Sequence, residues 1–252
     1  MNSNMWTPLV VPENVPSVIK ASYELTREAL EKLVSEWKGT NVVIPGLNLA
    51  DGIGHIQGSN FYFASELFNN CRELSGEQDI LPLSQEKAEY TLKIIGDSLF
   101  RENYQNMGLA VRPGEGYNYV LHKHLVEMVR SESGFQDIDP EIPFVVTGAM
   151  KPVKYGKFEY GLKLDPNEFT IIYNAPILGE RSGYFNPEDI NEETGLPIRL
   201  RKKGQRRLQN ISTGGVCWLN RSRSLYLYAR HGGLALSNVF GRVYFAKNFS
   251  KK

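Results

Sequence analysis

The 252-residue sequence has no long hydrophobic run. Its longest apolar stretches, such as Pro143–Val146 and Ile171–Tyr173, fall far short of the roughly 18 residues that a membrane-spanning helix needs. The first residues, Met1–Pro12, lack a basic start followed by an apolar stretch, so no cleaved signal peptide is predicted. The sequence therefore predicts no transmembrane segment. It leaves the localisation open, including export by another route or carriage on a virus particle.

Cysteine is scarce. The chain has two cysteines, Cys71 and Cys217, and they are far apart in the sequence. No C-x-x-C pair occurs, which excludes a zinc ribbon and a thioredoxin-like redox motif. A single disulfide between the two cysteines is one interpretation. Two isolated, buried thiols are the interpretation that we favour.

Sequence motifs of catalysis and metal binding are missing as well. His122 and His124 are two positions apart, and on a helix such side chains point to different faces, so they cannot share a metal ion. The glycines at positions 52, 54 and 58 do not have the dinucleotide-binding spacing. Neither a Walker A sequence nor a G-x-S-x-G nucleophile motif occurs. We therefore expect no catalytic residue, no metal and no cofactor, and predict that the protein is not an enzyme.

Acidic residues do not occur after Glu193. From Thr194 to Lys252 there are thirteen Lys or Arg residues, whereas sixteen basic and twenty-eight acidic residues precede Thr194. The net charge of +1 therefore conceals an acidic body and a basic tail. Two interpretations stay open: the tail docks on acidic residues of its own chain, or it binds an anionic partner.

The composition, 41% apolar and 23% charged, is that of a globular protein, and the order of its elements predicts the fold class. The residue patterns predict, in chain order, helices over Ser17–Lys38, Ser84–Asn103 and Tyr117–Ser131, short strands at Phe144–Thr147, Tyr160–Leu162 and Thr170–Tyr173, a polar loop over Gly179–Thr194, and a β-rich segment over Gly214–Phe249. Helices followed by strands predict an α+β fold with a mostly antiparallel sheet and flanking helices. No linker is evident, so residues 1–252 are predicted to form a single domain.

A period of two runs through the tail from Cys217 to Tyr228. Small polar and phenolic side chains occupy every second position, namely Asn220, Ser222, Ser224, Tyr226 and Tyr228. The positions between them are Leu219, Arg221, Arg223, Leu225 and Leu227. In an extended chain these two sets lie on opposite faces, and the leucines anchor the core. Tyr, Ser, Asn and Gly are typical of adaptable recognition surfaces, although the alternation by itself also fits an ordinary half-exposed strand.

The segment Gly215–Ala246 resembles the variable region of diversity-generating retroelement proteins. In that family a fixed scaffold of Leu, Ala and Arg alternates with positions encoded by Asn codons in a template, whose adenines are randomised. Such codons cannot reach Lys, Glu, Gln, Met or Trp. The positions that fall in this frame all carry reachable residues, and they are Asn220, Ser222, Ser224, Tyr226, Tyr228, His231, Gly232, Gly233, Leu236, Asn238, Val239 and Phe240.

The resemblance, closest to archaeal variable proteins, implies a C-type lectin fold related to the formylglycine-generating enzyme. The pair Gly214-Gly215 followed by Trp218, and the closing Gly241-Arg242-Val243, resemble the ending of that fold. It also implies a receptor- or adhesion-type protein that binds a macromolecule, such as a protein on a cell or virus surface. Tyr226, Tyr228 and Phe240 are then expected to be aromatic anchors. The tail arginines at positions 221, 223, 230 and 242 are expected to be framework residues that pair with acids from the N-terminal part.

Two other functions were weighed against ligand binding. Nucleic-acid binding is suggested by the basic strip Arg199–Arg207 and by aromatic residues interleaved with basic ones in the tail. An enzyme of the formylglycine-generating type would need paired reactive cysteines near its C-terminus, and Cys217 is the one cysteine there. We therefore keep nucleic-acid binding as the alternative and rank enzymatic activity last.

Overall fold

The computed structural model describes residues 6–8, 18–21, 23–36, 61–77, 79–96, 104–155, 159–163, 170–211, 213–221, 226–229, 234, 241–242 and 245–247. The α-helices in this part of the chain are α1 (Tyr23–Glu36), α2 (Phe61–Ser75), α3 (Gln85–Ile95) and α4 (Tyr119–Ser131). The strands are β1 (Trp6–Pro8), β2 (Val18–Ala21), β3 (Ile80–Pro82), β4 (Tyr104–Arg112), β5 (Gly116–Tyr117), β6 (Phe144–Gly148), β7 (Lys151–Tyr155), β8 (Glu159–Lys163), β9 (Thr170–Asn174), β10 (Gly183–Phe185), β11 (Arg206–Asn210), β12 (Gly214–Arg221), β13 (Leu227–Ala229), β14 (Gly241–Arg242) and β15 (Phe245–Lys247). Short 3-10 helices span Ser133–Phe135, Pro176–Gly179 and Pro187–Asp189.

The main sheet has the strand order β10-β11-β13-β12-β4-β6-β9, with β14 beside β4 and β5 beside β12. Its neighbours are antiparallel except in the pairs β11–β13, β12–β5 and β14–β4. A smaller sheet has the order β1-β2-β15-β3, and β7 forms an antiparallel pair with β8. The α+β class with a mixed, mostly antiparallel sheet is thus confirmed. The single domain stays a prediction.

Buried apolar side chains cover the main sheet on both sides. What we call the α3 core includes Ala88, Leu92, Phe185, Leu208, Cys217, Leu219, Leu227 and Ala229. What we call the α4 core includes Leu109, Leu121, Leu125, Val146, Val216 and Trp218. Strand β12 contributes side chains to both cores in alternation, because successive side chains of a strand point to opposite faces. It therefore lies between them as a central, buried strand.

Helix α4 confirms the predicted helix at Tyr117–Ser131, since it begins two residues later and ends at Ser131. Helix α3 begins as predicted, with the Ser84 hydroxyl accepting a hydrogen bond from the Lys87 N–H. It ends at Ile95, however, so the prediction that it continues to Asn103 is wrong. Gly96 closes it with a φ of 70°, a conformation that glycine adopts at low cost.

The helix predicted over Ser17–Lys38 is wrong in its first turn, because Val18–Ala21 is strand β2. That strand pairs with β1 and β15, and pairing with distant strands outweighs a local spacing of apolar residues that also fits a helix. Helix α1 covers the rest, from Tyr23 to Glu36. Several elements were not predicted at all, and they include helix α2 and strands β1, β3, β4, β7 and β11.

The short strands predicted after Gly134 are confirmed as β6, β8 and β9. The polar loop predicted over Gly179–Thr194 is wrong, because it contains strand β10 and the fully buried side chains of Phe185 and Asp189. The last β-rich segment contains four separate strands in its described residues. Among those residues, no helix is both long enough and apolar enough to span a membrane.

Candidate functional site

The alternating segment of the tail forms two antiparallel strands, β12 and β13. Asn220 lies opposite Tyr228 and Arg221 lies opposite Leu227. Tyr226 is two residues from Tyr228, and the centroids of their rings are 6.4 Å apart with a tilt of 55°. Strand pairing therefore brings Asn220, Tyr226 and Tyr228 to one face, although β12 ends at Arg221 and a single extended strand does not connect them.

These three residues differ in exposure. Tyr226 and Tyr228 are half-buried, whereas Asn220 is only 4% exposed. The remaining predicted ligand-contacting positions lie outside the described residues, and they are Ser222, Ser224, His231, Gly232, Gly233, Leu236, Asn238, Val239 and Phe240. The described residues thus include three of the twelve predicted ligand-contacting positions.

The residues between the three point into the α3 core. Leu219 and Leu227 are fully buried there, which confirms that these leucines anchor the core. Arg221 is also fully buried, and its guanidinium pairs with the Glu89 carboxylate of α3. Burial lowers the pKa of Arg221, and the negative charge of Glu89 opposes this effect. The expectation that Arg221 is a framework residue paired with an acid from the N-terminal part is therefore confirmed.

Glu89 is shared between two strands of the sheet. Its second carboxylate oxygen accepts a hydrogen bond from Arg206 of β11, and Gln85 donates to the first oxygen at 3.2 Å. The amide of Gln85 also donates to the Gly195 carbonyl at 2.9 Å. This buried group connects α3 to β11 and β12 on one side of the sheet. The side chains on the opposite side of these two strands do not take part in this connection.

The face that carries Tyr228 continues across β11 and β10. Gln209 is the register partner of Tyr228, and Arg207 is the register partner of Tyr184. We call this surface the tyrosine face, and its members are Tyr184, Arg207, Gln209, Asn220, Tyr226 and Tyr228. Tyr184 and Gln209 are not among the predicted site residues, and Arg207 is predicted only as part of a continuous basic strip. Arg206 and Leu208, which flank Arg207, both point inward. This alternation is the signal that would distinguish Arg207 from the other basic residues of the strip.

Polar groups of the tyrosine face and its border remain unpartnered within the described part of the chain. The buried atoms without a hydrogen-bond partner there include Asn220 Oδ1, Arg207 Nε and the adjacent Trp218 Nε1. Buried polar atoms in proteins are normally hydrogen-bonded, and leaving one unpaired costs about 1–3 kcal/mol. These atoms are also closed off from solvent, so the face has unsatisfied polar groups beneath its surface.

Three of the six basic residues in the strip Arg199–Arg207 are ion-paired within the chain. Arg199 Nε donates to Asp189 Oδ1 at 2.6 Å, and Arg201 donates to both Asp189 oxygens at 2.7 Å. Hydrogen bonds from Arg201 and then Arg199 hold the pKa of Asp189 well below its ordinary 3.8, although burial acts in the opposite direction. Docking of the tail on acidic residues of its own chain is thus confirmed for Arg199, Arg201, Arg206 and Arg221.

Both cysteines are free and buried, which confirms the preferred interpretation over a disulfide. Burial raises the pKa of Cys71 to about 12. Burial also raises the pKa of Cys217, although the Arg112 guanidinium, whose Nη1 lies 2.8 Å from Sγ, partly offsets the effect. Within the described residues, no cluster of three His, Cys, Asp or Glu side chains could hold a metal ion.

Comparison with known proteins adds no relative. The chain matches no protein-family model, no curated protein and no solved structure at a significant level. The function of the tyrosine face is therefore argued from its own residues.

Proposed function

We propose that this protein is a ligand-binding protein of the receptor or adhesion type, whose C-terminal surface is diversified by a retroelement. The observation that carries the proposal is the separation of roles within the β12–β13 pair. Leu219, Arg221 and Leu227 are fully buried, whereas Tyr226 and Tyr228 are half-exposed on the opposite face. Diversification needs such a separation, because side chains can then change without loss of the core.

The chemistry of the tyrosine face supports recognition of a macromolecule. Tyrosines offer a large contact area at low entropic cost, and a phenol hydroxyl both donates and accepts hydrogen bonds. The proposed ligand is a protein on a cell or virus surface, and the proposal includes no catalytic step.

A C-type lectin fold is the finer architecture that we propose. Two features of the sheet support it. Strand β12, which contains Gly215 and Trp218, is central in the main sheet, and the later Gly241-Arg242 pair forms β14 beside β4. In this arrangement the predicted variable segment is attached to a central, buried strand, which would hold a changing surface on a constant support.

The decisive experiment is to sequence the DNA next to this gene in its source population. We expect a near-copy of the coding segment for residues 215–249 together with a reverse transcriptase gene. Mismatches should be confined to template adenines at the twelve predicted codons. The codons for Leu219, Arg221 and Leu227 provide the internal control, because they should match the copy. No near-copy, or mismatches spread over all four bases and the control codons, would contradict the proposal.

A further inference from the structure

Arg207 occupies an unusual position for an arginine of this sheet. Its neighbour Arg206 points to the opposite face and pairs with Glu89. Arg207 itself is half-buried, and its guanidinium carbon lies 5.4 Å from the centroid of the Tyr184 ring. It forms no hydrogen bond or ion pair with any residue that the structure describes. Contact with an aromatic face orients a guanidinium without using its hydrogen-bond donors.

The electrostatic surroundings of Arg207 favour an anion. Asp189 is shared by Arg199 and Arg201, and the negative charge of Glu188 also acts on Arg201, so these four side chains balance one another. Lys202 and Lys203 are exposed in the segment between β10 and β11, and they form no ion pair within the described ranges. A positive potential at this edge raises the encounter rate with acidic partners.

We propose that Arg207, oriented by Tyr184, is a carboxylate-binding element of the tyrosine face, and that the ligand is an acidic segment of a protein. This inference rests on the proposed function, because it names the ligand chemistry of the same surface. An oriented guanidinium binds a carboxylate through two parallel hydrogen bonds, and nearby phenols and amides suit a peptide chain. Residue 207 also lies outside the predicted variable segment. The face would therefore combine one constant acid-binding position with changing neighbours.

A protein ligand fits these observations better than a nucleic acid does. Binding along a phosphate backbone uses a row of free basic side chains, whose neutralisation makes affinity steeply salt-dependent. Arg199, Arg201 and Arg206 are instead engaged with Asp189 or Glu89. Of the arginines on β11, only Arg207 remains without an acidic partner among the described residues.

The test measures binding of fluorescein-labelled oligoglutamate to the full chain by fluorescence anisotropy. Oligoglutamine of the same length and single-stranded DNA are the comparison probes. We expect the wild type to prefer oligoglutamate to both. Arg207→Gln should weaken oligoglutamate binding about tenfold, as expected for the loss of a charge-assisted hydrogen-bond pair. Lys202→Gln is the matched control, since it removes the same charge outside the tyrosine face, and it should weaken binding less than about threefold.

Two further variants separate geometry from charge. Arg207→Lys keeps the positive charge but loses the planar fork, so its affinity should fall between those of the wild type and Arg207→Gln. Tyr184→Leu should weaken binding about threefold by releasing the orientation of Arg207. Thermal unfolding of each variant, at a midpoint close to that of the wild type, establishes that lost binding is not lost folding.

Three results would overturn this inference. They are no preference for oligoglutamate over oligoglutamine, an equal loss with Arg207→Gln and Lys202→Gln, and tighter binding of the DNA that Arg207→Gln abolishes. The last result would favour nucleic-acid binding. These failures can be told apart from failure of the proposed function. If the adenine-specific mismatches are found but oligoglutamate does not bind, the surface is diversified and its ligand has another chemistry.

Discussion

Strands β11, β12 and β13 have two faces, and the polar side chains on the two faces differ in their ion pairing and hydrogen bonding. On the side of the α3 core, Arg206 and Arg221 share the Glu89 carboxylate in a buried ion-paired group. On the tyrosine face, Arg207 and Asn220 have polar atoms without partners in the described part of the chain. The inner arginines are thus fixed by an acid of the chain, whereas Arg207 is fixed by contact with an aromatic ring and has no acidic partner among the described residues.

On the inner side, Arg112 of β4 is an arginine whose donors are bound within the chain, although Gln85 Oε1 in the Glu89 group has no partner among the described residues. Its Nε donates to the Leu178 carbonyl at 2.7 Å, and its Nη2 donates to the carbonyl of Ala229 at 2.6 Å and to Asn210 Oδ1 at 3.1 Å. With Cys217 next to Nη1, this one guanidinium connects β4, β11, β12 and β13. The contrast with Arg207 teaches that residue type alone does not separate a framework arginine from a recognition arginine.

The largest effect should come from the buried ion-paired group. Glu89→Gln would leave Arg206 and Arg221 buried beside each other without their anion, and we expect a loss of about 3–5 kcal/mol in the free energy of unfolding. Urea denaturation would measure it. Arg207→Gln, which removes a charge from the opposite face, should cost less than about 1 kcal/mol. Equal losses for the two variants would mean that the faces do not differ as described.

Two adjacent residues of the tail sharpen the same comparison. Leu227→Ala removes a fully buried side chain from the α3 core and should cost about 2–5 kcal/mol. Tyr226→Ala, on the tyrosine face, should change the free energy of unfolding by no more than about 1 kcal/mol. Thermal unfolding of both variants is the measurement. A larger loss for Tyr226→Ala than for Leu227→Ala would contradict the assignment of the two faces.

A smaller, pH-dependent effect is expected at Asp189. Its pKa is lower in the folded protein than the ordinary 3.8, so the folded state binds the proton less readily than the unfolded state. Its contribution to stability is therefore present above about pH 4 and is lost as the pH falls through the lowered value. Asp189→Asn should destabilise the protein at pH 7, and the difference from the wild type should narrow at pH 3 in denaturation curves. A difference that widens at pH 3 would be the wrong sign.

The smallest effect concerns the thiols. Because burial raises the pKa of both Cys71 and Cys217, we expect neither to react with a thiol-specific reagent at pH 8 in the folded protein. Both should react in urea, which is the control. Rapid reaction of Cys217 in the native state would show that the α3 core is open to solvent beside Arg112.

Some elements could be predicted from local patterns because local chemistry decides them. Helix α4 has apolar residues at helical spacing, and Ser84 has the side chain that caps α3. Strand β4 was missed because residues 107–112 are buried on both faces, and such a strand shows no alternation. Helix α2 was overlooked, although Phe61, Phe68 and Cys71 carry a signal that a search for helical spacing could have detected.

The residues of the candidate site also divide into those that local patterns predict and those that only the pairing of distant strands brings together. Alternation along the tail was enough to separate Tyr226 and Tyr228 from the buried Leu227, because successive side chains of any strand point to opposite faces. Local alternation does not predict which distant strands pair with each other. Whether Tyr184 and Gln209 join the same surface depends on which strands are neighbours and in what register, and these are settled by packing across the whole sheet.

Alternation along an extended chain is local, and it is enough to predict that Tyr226 and Tyr228 lie opposite Leu227, although Asn220 of the same face is buried. The fold as a whole brings Arg206 and Arg221 to Glu89 on one side of the sheet and Arg207 to Tyr184 on the other. The physical reason is the cost of burying charge. A buried guanidinium requires an acidic partner, and the partner comes from whichever distant element the fold brings within reach.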